Sequence, residues 1–78
     1  MRIDELRRIH RAQPFEAFII RVADGREYLV KHPELLAISP TGRTVALYTP
    51  DDLFDILDTM MITSVHIGDG RKRARRGK

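Results

Sequence analysis

Phe18-Ile19-Ile20-Arg21-Val22-Ala23-Asp24-Gly25-Arg26-Glu27-Tyr28-Leu29-Val30-Lys31 is the stretch that decides the fold. Phe18, Ile20 and Val22 alternate with Ile19, Arg21 and Ala23, the period of two that lets one face of a strand meet a core. Asp24-Gly25 suits a two-residue type I′ hairpin turn, in which both central residues take positive φ. Arg26 to Lys31 then returns as a second strand, with Tyr28 and Val30 opposite Glu27, Leu29 and Lys31.

The same grammar continues downstream. His32-Pro33-Glu34 interrupts the second strand, because Pro33 has no N–H to donate to a ladder; a bulge, a corner or an edge is expected there. Leu35 to Ile38 resumes extended structure. Ser39-Pro40-Thr41-Gly42 reads as a turn, with Pro40 fixing φ and Gly42 free to take positive φ. Thr44 to Thr49 is β-branched and aromatic, Pro50-Asp51-Asp52 turns, and Leu53 to Leu57 forms the next strand. Asp58 is placed to cap a single helical turn over 58–61. Ile62 to Ile67 closes the sequence of strands, with Val65 and Ile67 on one face and His66 on the other.

Upstream, the period changes to that of a helix. Ile3, Leu6 and Ile9 recur at helical spacing, so 4–13 is expected to be a short helix with Asp4 as N-cap and Glu5 at the positive end of its dipole. Pro14 disfavours helix at Gln13 and ends it. A helix this short is marginal alone and must dock on the strands that follow.

The chain thus reads as a mostly β (α+β) domain over 1–68: one N-terminal helix and five or so strands. The connections are too short for parallel crossovers, so the pairing must be antiparallel. Short, strongly turned strands favour a small barrel or curled sheet, because closure hides edges. The expected core is Leu6, Ile9, Phe18, Ile20, Val22, Val30, Leu36, Ile38, Val45, Leu47, Phe54, Ile56, Val65 and Ile67. Met60 and Met61 are expected to fill gaps in it.

Charge is divided along the chain. The 78 residues carry 14 Lys+Arg and 11 Asp+Glu, a net of +3. Residues 69–78 hold six of those bases and one acid, whereas residues 1–68 hold eight bases and ten acids, a net of −2. The basic segment has no apolar residue larger than Ala and is expected to be a disordered tail. No Cys is present, which excludes disulfides and thiolate chemistry. No apolar run approaches the about 18 residues that span a bilayer, and Met1-Arg2-Ile3-Asp4-Glu5 does not open a secretory signal. A cytoplasmic location and no membrane partner are expected.

Pro14-Phe15, Phe18-Ile19-Ile20, Ala23-Asp24-Gly25-Arg26, Val30, His32-Pro33-Glu34, Ser39-Pro40 and Gly42-Arg43-Thr44 together resemble a family of short bacterial proteins over residues 3–67, which carries no function to this chain. More weakly, the order of helix, strands and short turn before a Val-containing last strand, Met61-Ile62-Thr63-Ser64-Val65, is similar to Sm-like RNA-binding barrels. His32-Pro33-Glu34 and Ser39-Pro40 stand where that superfamily has an Asp-x-x-x-Asn type nucleotide pocket. The resemblance implies an Sm-like fold and tilts the expected partner toward RNA.

Candidate chemistry follows from charge. Arg71, Lys72, Arg73, Arg75, Arg76 and Lys78 suit an RNA or DNA phosphate backbone, because each neutralised phosphate releases condensed counterions. With no aromatic among them they offer no base stacking. Arg7, Arg8 and Arg11 on the helix could extend the candidate nucleic-acid surface, although i to i+4 spacing for helix solubility, with Glu5 nearby, is the better explanation of them. His32 has no partners at metal-ligand spacing and reads as a corner residue hydrogen-bonded to local backbone. Asp51, Asp52, Asp55 and Asp58 lack the central Gly of a Ca²⁺ loop; Asp51 and Asp52 read as turn formers and Asp55 as an outward strand position. No catalytic constellation, cofactor, metal or small-molecule substrate is expected. The expected function is a non-enzymatic nucleic-acid-binding module, with a protein-interaction or assembly module as the alternative. A body this small favours homo-oligomerisation through strand edges.

Overall fold

The computed structural model describes residues 2–68, so the expected tail at 69–78 lies outside the described residues. Helix α1 spans Ile3–His10. Its N-cap is Arg2, not Asp4, and no side chain caps it. The helix starts early because Ile3 already packs on the turn at Gly42. It ends before Pro14, where the Arg11 N–H donates to the Arg7 carbonyl at 3.0 Å.

Strands β1 (Phe18–Val22), β2 (Glu27–Val30), β3 (Leu36–Ile38), β4 (Thr44–Tyr48), β5 (Phe54–Asp58) and β6 (Ile62–Ile67) follow. They form two three-stranded sheets, β2-β1-β6 and β3-β4-β5, with every ladder antiparallel. A single five-stranded barrel is therefore not what the ladders build. Pro33 is the cause: the 3-10 turn Pro33–Leu35 separates β2 from β3, and the two then pair with different neighbours.

The β1–β2 hairpin also departs from the type I′ expectation. Gly25 alone takes positive φ, +97°, and the Gly25 N–H donates to the Val22 carbonyl at 2.9 Å while the Val22 N–H donates to the Arg26 carbonyl at 3.0 Å. That is a three-residue loop with its left-handed residue last. The β4–β5 loop repeats it with Asp52 at φ +67°, the Asp52 N–H donating to Thr49 and the Thr49 N–H to Leu53.

The core lies between the sheets and under the helix: Leu6, Phe18, Ile20, Val22, Tyr28, Val30, Leu36, Val45, Leu47, Leu57 and Ile62. Each such side chain contributes roughly 1.5–3 kcal/mol by leaving water. Leu6 is fully buried, which is how an eight-residue helix is held. Five residues expected inside lie outside. Phe54, Ile56 and Ile67 are exposed, as are Met60 and Met61, which fill no core gap. The phase of β5 is inverted relative to the apolar reading: Leu57 and Asp55 face inward, Phe54 and Ile56 outward.

Thr59 joins the last 3-10 turn, Thr59–Met61, to the β3–β4 loop. Its buried hydroxyl donates to the Gly42 carbonyl at 3.0 Å, and its N–H to the Arg43 carbonyl at 3.0 Å. Asp58 caps that turn as its position suggests, accepting from the Met60 N–H at 2.9 Å.

Candidate functional site

Two surfaces stand out: an apolar edge on one sheet and a basic recess beside the helix.

The edge begins with sheet order. Among the described residues β5 pairs with β4 alone, so its other side carries no ladder there. Its outward side chains make that edge apolar: Phe54 is 51% exposed and Ile56 65%. Register sets Ile56 beside Ala46 and Ala46 beside Ala37, so small residues leave Ile56 standing above the sheet. One row along, Tyr48 lies opposite Phe54, and their rings meet at 4.7 Å between centroids, tilted by 46°. Leu53 and Met60, also exposed, flank the strand on either end.

What holds β5 in this orientation is polar. Asp55, expected to point outward, turns inward and accepts a hydrogen bond from the Tyr28 hydroxyl on β2 of the other sheet. The same hydroxyl accepts from Arg26 Nη1 at 2.8 Å, and that nitrogen lies 3.6 Å from the Asp55 carboxylate. Arg26 in turn donates through Nε to Asp24 at 2.8 Å, and its backbone N–H donates to the same carboxylate at 3.1 Å. Burial, and then the Asp55 hydrogen bond, raise the Tyr28 hydroxyl above its ordinary pKa. The Arg26 N–H, followed by its guanidinium, holds Asp24 below the usual carboxylate range. The chain Asp24–Arg26–Tyr28–Asp55 thus bolts the two sheets together and fixes which face of β5 meets water.

The helix arginines do not form one patch. Arg7 points at the β3–β4 loop, where Nη2 donates to the carbonyls of Ser39 and Pro40, each at 3.2 Å. Arg11, one turn later, lines the same recess of about 500 Å³ with His10, Ile38, Ser39 and Pro40. Arg8 lies on the other side of α1, paired with Glu5. Arg71, Lys72, Arg73, Arg75, Arg76 and Lys78 lie outside the described residues. Among the described residues, the helix thus offers a pair of arginines rather than a trio.

His32 is exposed, and only its carbonyl is engaged, accepting from the Leu35 N–H at 3.1 Å. The imidazole that reaches the corner is that of His10, whose Nε2 donates to the Pro33 carbonyl at 2.8 Å. Of the acidic residues, Asp51 and Asp52 occupy the β4–β5 turn as expected, and Asp58 caps. Among the described residues no three His, Cys, Asp or Glu side chains gather at metal-binding distance. No helix among them is long and apolar enough to cross a membrane.

No protein-family model, curated protein or solved structure matches the chain. The surfaces themselves carry the functional argument. The sequence places the strand β5 but not its phase, because Phe54-Asp55-Ile56-Leu57 fits either one, and the signal that breaks the tie, Tyr28 aimed at Asp55, is remote in sequence.

Proposed function

We propose that the chain is a non-enzymatic assembly module that joins copies of itself through the open edges of its sheets. One observation carries this: β5 turns its aspartate inward and its Phe54 and Ile56 outward, on an edge that no other strand among the described residues pairs. In the monomer Phe54 and Ile56 stay in water, whereas a partner strand would bury the two apolar side chains and satisfy the edge.

The favoured occupant is β6 of a second copy. Among the described residues β6 has its ladder with β1, which makes the outer side of 63–67 a second candidate edge. Asp51 and Asp52 precede β5, and the six bases of 69–78 follow β6. Antiparallel pairing of β5 with a second copy's β6 runs those two aspartates toward that copy's bases, so charge sets both register and partner. The resemblance of the sequence to Sm-like barrels is in keeping with this reading. Taken as one strand broken at Pro33, β2 and β3 give the five-strand order β6-β1-β2/β3-β4-β5, with a 3-10 turn before the last strand.

A second reading is nucleic-acid binding, with RNA ahead of DNA on the same resemblance. It is favoured by the charge split, in which a body of net −2 adjoins a segment of net +5. Light scattering of the full chain at low and high salt, with and without short RNA, separates the two. Self-association without RNA supports assembly. A monomer at every concentration and salt overturns it, and a salt-sensitive RNA complex formed by that monomer supports the second reading.

A further inference from the structure

We propose that the recess between the C-terminal half of α1 and the β3–β4 loop is a binding site for a phosphate group. Charge singles it out. Arg7, His10 and Arg11 line it with Ile38, Ser39 and Pro40, and among the described residues no carboxylate does. Two further recesses mix signs: Arg8 sits with Glu5 and Glu16 in one, and Arg26 with Glu27 and Asp55 in another. In a body whose acids outnumber its bases, an arginine pair free of acidic neighbours is out of keeping with its surroundings.

Geometry completes the case. Both loop hydrogen bonds of Arg7 come from Nη2, which fixes the guanidinium plane and leaves Nε–H and Nη1 without a protein acceptor among the described residues. A guanidinium held this way loses little further freedom on meeting an anion, and Nη1 keeps charge-assisted N–H donors for a phosphate oxygen. Arg11 is exposed and lies four residues on, over the same side of the helix, where it can close on the anion from above. The site takes a phosphomonoester, a phosphodiester or inorganic phosphate; charge alone does not choose among them. This inference is independent of the assembly reading, since the recess lies off the β5 edge.

The test is titration of the ¹⁵N-labelled full chain with inorganic phosphate against chloride at constant ionic strength, which removes simple screening. Shifts that saturate at the His10, Ser39 and Gly42 amides are expected. Arg11→Ala should weaken phosphate about tenfold, Arg7→Lys by a similar factor, and Arg8→Ala by less than about twofold. Short RNA that displaces phosphate from these amides supports a nucleic-acid source. Failure of RNA to displace it, with pyrophosphate succeeding, supports a small phosphorylated ligand. Shifts confined to 69–78, or equal weakening by Arg8→Ala and Arg11→Ala, would overturn the proposal.

Discussion

The Tyr28 hydroxyl donates a hydrogen bond to the Asp55 carboxylate, linking β2 of one sheet to β5 of the other. Removing the hydroxyl strands a half-buried carboxylate with only a 3.6 Å approach from Arg26. Tyr28→Phe should therefore cost about 1.5–3 kcal/mol, the range for a hydrogen bond to a charged group. Urea unfolding measures it, and a double-mutant cycle with Asp55→Asn should return a coupling well above zero.

The same hydroxyl sets an alkaline limit. Its folded-state pKa is raised above the ordinary 10.0 by burial and by Asp55, so it exceeds the unfolded value. Its stabilising contribution is complete below the unfolded value and disappears as pH climbs through the folded one. Wild-type stability should fall more steeply than that of Tyr28→Phe above about pH 10.

Asp24 sets the opposite limit. Its folded value lies below the ordinary 3.8, chiefly through the Arg26 N–H. Its contribution is present above the unfolded value and is lost as pH falls through the folded one. Thermal melts from about pH 6 to about pH 2 should show a smaller acid loss in Asp24→Asn than in wild type.

Two glycines share a backbone need and differ in what surrounds them. Gly25 (φ +97°) has open space where a Cβ would sit, whereas a Cβ at Gly42 (φ +77°) would lie 2.9 Å from the Ile3 side chain. Gly25→Ala should cost about 1–2 kcal/mol from the left-handed backbone alone. Gly42→Ala should cost roughly 2–4 kcal/mol, because the displaced helix adds to that strain. Equal losses on urea unfolding would mean that Ile3 yields freely.

On β5, Ile56→Lys should leave unfolding free energy within about 0.5 kcal/mol of wild type, since the side chain already meets water. Leu57→Ala, its buried neighbour, should cost about 2–5 kcal/mol. If Ile56→Lys also abolishes self-association in sedimentation, the edge and the stability of the fold are separable.

The strands were legible because alternation, turn residues and prolines coincide along most of the chain. Pro33 marked the break between β2 and β3, and Asp58 the cap of its 3-10 turn, from side-chain chemistry alone. Three things were not legible. Asp24-Gly25 permits more than one hairpin loop, and only the backbone shows that Gly25 alone is left-handed. β5 reads equally well in both phases, and Tyr28, 27 residues away, decides between them. Arg7 looks like a solvated helix cation until the loop carbonyls 32 and 33 residues later come to meet it. The last two are long-range partnerships, which periodicity cannot report.

Leu6, fully buried, and Arg7, tied to the loop carbonyls, are adjacent on one short helix. The helix therefore cannot peel away to admit or release an anion without opening the hydrophobic interior. Occupancy of the recess is coupled to global unfolding, and saturating phosphate should raise the melting midpoint as if it were a removable staple.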